Sequence, residues 1–235
     1  MWWLSLSVAL AGTPLTLDQL RADDAGAPEV ADRAEHDRLA SIEKLKGRLA
    51  REPTAEDQAD LMLQLAQRYL EQGLYLRARG DASADEWLTR ATKLFEGNLR
   101  NHPTHPGSDS AQLGLAQCLW AVGRQQEGME PLKALIEQHP ESEHVPEAYV
   151  RIAEYYVGAE PNGYRALKGY LKATTYAEGP DWAYATYRLG WSYRQVGEVA
   201  LAKATWLSLL QRLDRGRPTE DEQQVLTATR AALAE

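Results

Sequence analysis

The sequence predicts an all-α protein, a right-handed α-α superhelix of about four helix pairs with a flanking helix at each end. Two observations predict this fold class. The 235-residue chain has a single Phe and many Ala and Leu, which favours helices because strands are enriched in β-branched and aromatic residues. The sequence also resembles itself at a fixed interval, as expected when one supersecondary unit is repeated along a chain.

The interval is 37 residues. His102–Pro103 recurs as His139–Pro140, and Tyr156 recurs as Tyr193, each time 37 positions later. These positions match the tetratricopeptide pattern, in which Trp-x2-Leu-Gly-x2-Tyr opens a unit, Ala-x3-Phe follows in its second helix and Pro closes it. The chain therefore resembles tetratricopeptide-repeat proteins, although the leading Trp of the pattern is missing. The resemblance implies antiparallel helix pairs with small residues where the two backbones approach.

The repeat pattern divides the chain into segments. Four units are predicted, at residues 59–103, 109–140, 146–180 and 183–214. The first unit has about 13 residues more than the pattern requires, and we expect a loop around Arg77–Asp85 to contain them. A helix and linker at 28–58 and a capping helix at 215–235 flank the repeats, and residues 12–27 are expected to form a poorly ordered lead.

The first eleven residues read MWWLSLSVALA and end in Ala9-x-Ala11. An apolar stretch with this ending indicates a signal peptide, residues 1–11, cleaved before Gly12, and hence export to the periplasm. The stretch is too short to span a bilayer, so no integral membrane span is expected. No Cys follows it that could carry a lipid anchor. The usual Lys or Arg near the start is missing, so a cytoplasmic protein is the alternative.

Two longer segments carry a more specific resemblance. The phrases HPESEHVPEAYVRIAEYYV and DWAYATYRLGWSYRQVGEVALAKATW resemble tetratricopeptide proteins of the bacterial cell envelope. That group includes the periplasmic partner of the Tol–Pal system, a lipoprotein of outer-membrane assembly and proteins of the gliding-motility machinery. The resemblance implies a non-catalytic scaffold that binds another protein or peptide segment of an envelope complex. The absence of a lipidated Cys speaks against the assembly lipoprotein.

Several functional classes are disfavoured. A net charge of -8 and a pI of about 5.3 argue against a nucleic-acid partner, because such partners select basic surfaces. Cys118 stands in an apolar run and is expected to be buried rather than catalytic. His102 and His139 occupy the same repeat position, which favours a loop role over metal binding. We therefore expect no enzyme activity, no catalytic residue, no metal site and no cofactor.

A stripe of aromatic residues is the candidate binding surface. Tyr184, Tyr187, Trp191 and Arg194 recur at helical spacing, and Trp120 would extend the surface into the second unit. Aromatic and Arg side chains are favoured anchors for a bound peptide. The alternatives are that the stripe packs inside the repeat, or that its groove binds glycan strands or a small ligand. The sequence leaves the oligomeric state open.

The repeat register also predicts the concave face. The first helix of each pair should line it, which predicts that this face carries Leu63, Gln67, Leu113, Gln117, Trp120, Glu147, Val150, Glu154, Tyr184, Tyr187, Trp191 and Arg194.

Overall fold

The computed structural model describes residues 14–22, 28–51, 54–159, 163–176 and 180–234. Across these ranges the chain forms eleven helices and no strand, which confirms the predicted all-α repeat class. The helices are α1 (Leu17–Ala22), α2 (Pro28–Leu49), α3 (Ala55–Ala78), α4 (Ala84–Asn101), α5 (Ser108–Ala121), α6 (Gln125–Gln138), α7 (Val145–Ala159), α8 (Tyr164–Ala173), α9 (Pro180–Gln195), α10 (Val199–Leu213) and α11 (Glu220–Ala234).

The chain divides into two compact units. One comprises Ala25–Ala148, and the other combines Met1–Asp24 with Tyr149–Glu235. In the unit Ala25–Ala148, α3 pairs with α4 and α5 pairs with α6, while α2 packs on α3. In the second unit α9 pairs with α10, and α11 packs on both. Helices α7 and α8 meet at Gly169, where an added Cβ would lie 2.8 Å from the Ala153 Cβ.

A left-handed glycine follows the first helix in three of the pairs. Gly123 has φ 79° and Gly197 has φ 88°, a conformation that costs other residues about 1–2 kcal/mol. The following N–H groups then close the helix ends: Arg124 donates to the Leu119 carbonyl and Glu198 to the Tyr193 carbonyl, both at 2.8 Å. Gly80 has the same backbone conformation after α3, where the Asp81 N–H donates to the Leu76 carbonyl at 2.9 Å. The turns after α3, α5 and α9 are therefore one repeated motif, whereas the left-handed Gly163 stands at the N-cap of α8.

The predicted loop at Arg77–Asp85 is wrong. The surplus residues lengthen the helices instead: α3 has 24 residues and α4 has 18, against 14 each in α5 and α6. The connection is only residues 79–83. The longer helices bury additional side chains, since Leu76 and Leu88 are buried and the Tyr69 and Trp87 rings meet edge to face at 5.5 Å. Continued apolar packing is why the helix persists where the repeat pattern ends it.

Small residues stand opposite large rings in both units. In the unit Ala25–Ala148, a Cβ at Gly114 would lie 2.3 Å from Cζ of the buried Phe95. In the other unit, a Cβ at Gly190 would lie 2.1 Å from Nε1 of Trp206. This indole is buried and donates to the Tyr187 carbonyl at 3.0 Å. The repeat pattern places small residues at these positions, and the rings of neighbouring helices fill the space that the missing side chains leave.

The lead before the repeats differs from the poorly ordered segment expected at 12–27. Residues 17–22 form α1, which packs against α11. Thr16 and Gln19 cap α1 reciprocally, each backbone N–H donating to the other's side chain at 2.9 and 3.2 Å. Leu17 and Leu20 are 1% and 4% exposed and belong to the core of this unit. The expected signal peptide, residues 1–11, lies outside the described residues.

Gly190→Leu should lower the free energy of unfolding by about 1–3 kcal/mol, because the new side chain must displace the buried Trp206 indole. Urea unfolding followed by circular dichroism measures the loss. Gly158→Leu in α7 is the matched control, since a Cβ there would meet no described atom within 4 Å. Its stability should be unchanged or higher by up to about 1 kcal/mol, from helix propensity. Equal losses in both variants would contradict the proposed close approach of α9 and α10.

Candidate functional site

The predicted stripe on α9 is divided by the structure. Tyr184 and Tyr187 are 0% and 2% exposed, whereas Trp191 and Arg194 are only partly buried. The first two therefore have the burial of core residues, which was the alternative considered for the stripe. The chain's own N-terminal segment contacts both hydroxyl groups through the Leu15 backbone. Tyr184 and Tyr187 are therefore buried in part by a peptide segment, and their burial does not exclude peptide binding.

Side chains of α7 and α9 hold the backbone of Leu15. The Leu15 N–H donates to the Tyr187 hydroxyl at 3.2 Å, and Arg188 Nη1 donates to the Leu15 carbonyl at 2.8 Å. Two residues later, the Leu17 N–H donates to Glu154 Oε1 at 3.1 Å. We call the surface formed by Glu154, Tyr184, Tyr187 and Arg188 the α7–α9 groove. The α7–α9 groove binds main-chain atoms through the buried Tyr184, Tyr187 and Arg188 and the partly buried Glu154.

The polar groups of the α7–α9 groove support each other electrostatically. The Tyr184 hydroxyl donates to Glu154 Oε1 at 2.5 Å and has the Leu15 carbonyl at 3.2 Å as a longer acceptor. Burial, and then the negative charge of Glu154, hold the Tyr184 pKa well above its ordinary value, so the hydroxyl stays protonated and can donate. Burial lowers the Arg188 pKa, but neighbouring Tyr170, Tyr184 and Glu154 raise it by more, and the guanidinium stays charged.

An open pocket begins where the bound segment reaches Pro14. Its volume is about 390 Å³, and its lining includes Trp191 and Arg194 from the predicted stripe. The Arg194 guanidinium lies 5.1 Å from the centre of the Trp191 ring, and the Trp191 ring packs edge to face on Trp206 at 5.5 Å. Within the described residues, the buried Nε1 of Trp191 and Nε of Arg188 have no acceptor. This end of the groove therefore offers open space, and the two N–H groups without an acceptor are buried beside it.

Two residues of the groove were not predicted as site residues. Glu154 was expected only on the concave face, and Arg188 was not singled out. In the structure Arg188 stands in the run 183–190, in which every residue is buried, and the sequence alone does not show this burial. A charged side chain in such a run must have partners. Nothing in the local sequence identifies Leu15 as one of them.

Trp120 lies elsewhere than predicted. It is buried, and a Cβ at Gly128 would lie 2.8 Å from its ring, which places the indole against α6. The expected extension of the stripe through Trp120 is therefore not part of the α7–α9 groove. The physical reason is the small residue at position 128, which leaves room for the large ring between the paired helices α5 and α6.

A second open pocket lies within the unit Ala25–Ala148. Its volume is about 410 Å³, and it is lined by four of the five residues predicted for the concave face of the first two repeats, Leu63, Gln67, Leu113 and Gln117, but not by the fifth, Trp120. The Gln117 amide donates to the buried Glu147 carboxylate at 2.9 Å, and His144 pairs with the Ser110 hydroxyl at 2.9 Å. The register derived from the sequence thus placed these first helices correctly.

Two crystal structures have similar folds. The MamA protein matches 80% of this chain and 90% of its own, with a TM-score of 0.59 at 17% identity. The TPR-like repeats of a kinesin light chain from Podosopora anserina match 85% of this chain and 98% of theirs, with a TM-score of 0.57 at 17% identity. The chain has the fold of a TPR-like repeat protein. No protein-family model and no curated protein matches it.

The histidines that were candidates for metal binding lie at structural positions of the TPR-like fold. His102 and His139 end α4 and α6 with nearly the same backbone angles, which agrees with the expected loop role. Within the described ranges, no three His, Cys, Asp or Glu side chains are grouped so that they could hold a metal ion. In the same ranges, no helix combines the length and apolarity needed to cross a membrane.

Cys118 should resist alkylation in the folded TPR-like protein. It is fully buried in α5, and burial raises the pKa of its thiol to about 12, so little of the reactive thiolate forms at about pH 8. Iodoacetamide at that pH, followed by intact mass measurement, should leave the native chain unmodified and add one group to the urea-unfolded chain. Rapid modification of the native chain would mean that α5 is more accessible than its packing indicates.

Proposed function

We propose that this TPR-like protein is a non-catalytic interaction scaffold of the bacterial cell envelope that binds a segment of a partner protein through the α7–α9 groove and its open end. One observation carries the proposal: the groove already holds a stretch of polypeptide. The Leu15 N–H donates to the Tyr187 hydroxyl, and the Leu15 carbonyl accepts from Arg188. Main-chain recognition combined with pockets for side chains is a recurring way to bind peptides.

The same geometry favours a peptide over the alternative of a glycan strand. A sugar ring is usually held on the exposed flat face of an aromatic residue. Here Tyr184 and Tyr187 are buried and present their hydroxyl groups to the Leu15 backbone. One face of the Trp191 ring carries the Arg194 guanidinium, and the ring also packs on Trp206. The groove is therefore better suited to amide groups and leucine side chains.

The assignment to the envelope rests on other observations. They are the apolar leader Met1–Ala11 and the resemblance of two repeat segments to envelope tetratricopeptide proteins. The structural relatives support the repeat fold and do not bear on the compartment.

Cross-linking in the native host tests the partner and its location on the protein. A photo-reactive amino acid at Gln195, which lines the open pocket, should give discrete protein adducts. The matched control is the same group at Leu207 on α10, which is 58% exposed and outside this pocket. Adding Trp191→Ala should weaken binding by about 2 kcal/mol or more if the indole is an anchor, and so remove most of the adduct.

Three outcomes of this experiment would count against the proposal. Adducts degraded by peptidoglycan hydrolases rather than proteases would support the glycan alternative. Identical adducts from Gln195 and Leu207 would mean that contact is not specific to the groove. If Trp191→Ala lowers thermal stability as much as it lowers cross-linking, the residue acts through packing on Trp206. The binding surface would then lie elsewhere.

Export predicts a defined mature N-terminus. Protein isolated from the periplasm of the native host should begin at Gly12, because Ala9-x-Ala11 matches the small-residue cleavage pattern. N-terminal sequencing measures this. Replacing Ala11 with a bulky residue, as in Ala11→Leu, should leave the leader attached. Intact Met1 on unmodified protein in the cytosolic fraction would contradict export.

A further inference from the structure

We propose that residues 14–20 are an intramolecular ligand of the α7–α9 groove, and that the partner is another protein whose leucine-bearing segment has the same pattern and displaces them. This inference rests on the proposed function and specifies its partner. The segment is already seated on the groove in the folded chain. Its contacts therefore show which chemical features the groove recognises.

The first feature is main-chain recognition. The groove binds the N–H and carbonyl of Leu15 and the N–H of Leu17, which are groups that most residues carry. For these bonds a competing segment needs a residue outside the helix at the position of Leu15, as residues 14–16 are. It must not be proline there or two residues later, because proline lacks the N–H that each position donates.

The second feature is the spacing of the apolar side chains. Leu17 and Leu20 are three residues apart on α1, so both point to one face, and both are almost fully buried in the core of their unit. Between them, Gln19 is exposed and completes the cap with Thr16. The recognised pattern is thus one non-helical residue, then a capping Ser or Thr, and leucines two and five positions after the non-helical residue.

The third feature is that the segment can be exchanged. Helix α1 has only six residues, and a helix this short does not persist without its packing partners. The segment is held by a few side chains of α7 and α9 and by its packing on α11. It can therefore open locally without unfolding the repeats. The open pocket beyond Pro14 would give a longer partner segment additional contacts with Trp191 and Arg194.

Fluorescence polarisation with a capped, labelled peptide of residues 12–22, GTPLTLDQLRA, tests the exchange. The full chain carrying Leu17→Asp should bind this peptide at least about tenfold more tightly than the unmodified chain, because the unmodified groove is already occupied. Gln19→Glu is the matched control: it adds the same charge to the same segment but at an exposed side chain, and it should bind like the unmodified chain.

Further variants test the recognition itself. A peptide with Asp in place of both Leu17 and Leu20 should not bind. In the Leu17→Asp chain, Tyr184→Phe should weaken peptide binding about 2- to 10-fold through the lost hydrogen bonds. Tyr193→Phe removes a hydroxyl further along α9 and should have no such effect. Equal binding by the Leu17→Asp, Gln19→Glu and unmodified chains, or equal binding of both peptides, would overturn the proposal.

Hydrogen exchange on the unmodified chain gives a test that needs no variant. The amides of Leu15 and Leu17 should be protected, and an excess of isotopically heavy peptide should increase their exchange while the amides of α9 stay protected. Unprotected amides, or protection that the peptide does not reduce, would contradict displacement. A dimer that exchanges this segment between copies, detected by sedimentation, would make the occupant a second copy and would also overturn the proposal.

The outcomes separate this inference from the function on which it rests. Cross-linking at Gln195 reports contact of a partner with the open pocket, and such contact does not require that residues 14–20 leave the groove. Specific protein adducts at Gln195 together with no peptide binding by the Leu17→Asp chain would leave the scaffold proposal standing and reject the displacement.

Discussion

The fit of a large ring against a small residue is the constraint on which the rest of the structure depends. Trp206 occupies the space over Gly190, and Phe95 occupies the space over Gly114. These contacts set how closely neighbouring helices approach, because a buried ring cannot be compressed and a void would forfeit its dispersion contacts. The Trp206 indole also donates to the Tyr187 carbonyl, so the same contact orients the helix that carries the α7–α9 groove.

The groove shows how buried polar groups shape a binding site. Glu154, Tyr184 and Arg188 lie in a region where unpaired polar groups are costly. They satisfy part of their hydrogen-bonding capacity with one another and part with the Leu15 backbone. Ordering costs free energy at every residue of the segment, whereas Leu17 and Leu20 are the leucines whose burial offsets this cost. A short segment with so few buried side chains is open to competition.

The sequence predicted residue positions correctly where the packing follows the repeat pattern, and it failed where the packing departs from that pattern. The Ala-x3-Phe pattern is matched by Ala91 and Phe95 and, with Trp in place of Phe, by Ala202 and Trp206, and both rings are buried. Four residues assigned to the concave face also line the pocket of the unit Ala25–Ala148. The stretch around Arg77–Asp85 was misjudged because the pattern specifies where a typical unit ends its helix, whereas continued burial of Leu76 and Leu88 keeps this helix going. Trp120 was misplaced because its direction depends on the space left by Gly128.

The sequence by itself determined the helix pairs, because the apolar spacing acts within each helix and the His–Pro and Tyr positions of the repeat recur 37 residues apart. It also placed Tyr184, Tyr187, Trp191 and Arg194 on one face of α9. Only the tertiary structure decided what that face contacts. Leu15 is 172 residues from Tyr187 and 173 from Arg188 along the chain, and no local preference encodes a contact at such separations. Their meeting depends on packing that buries Leu17 and Leu20, which is a property of the folded unit and not of any one segment.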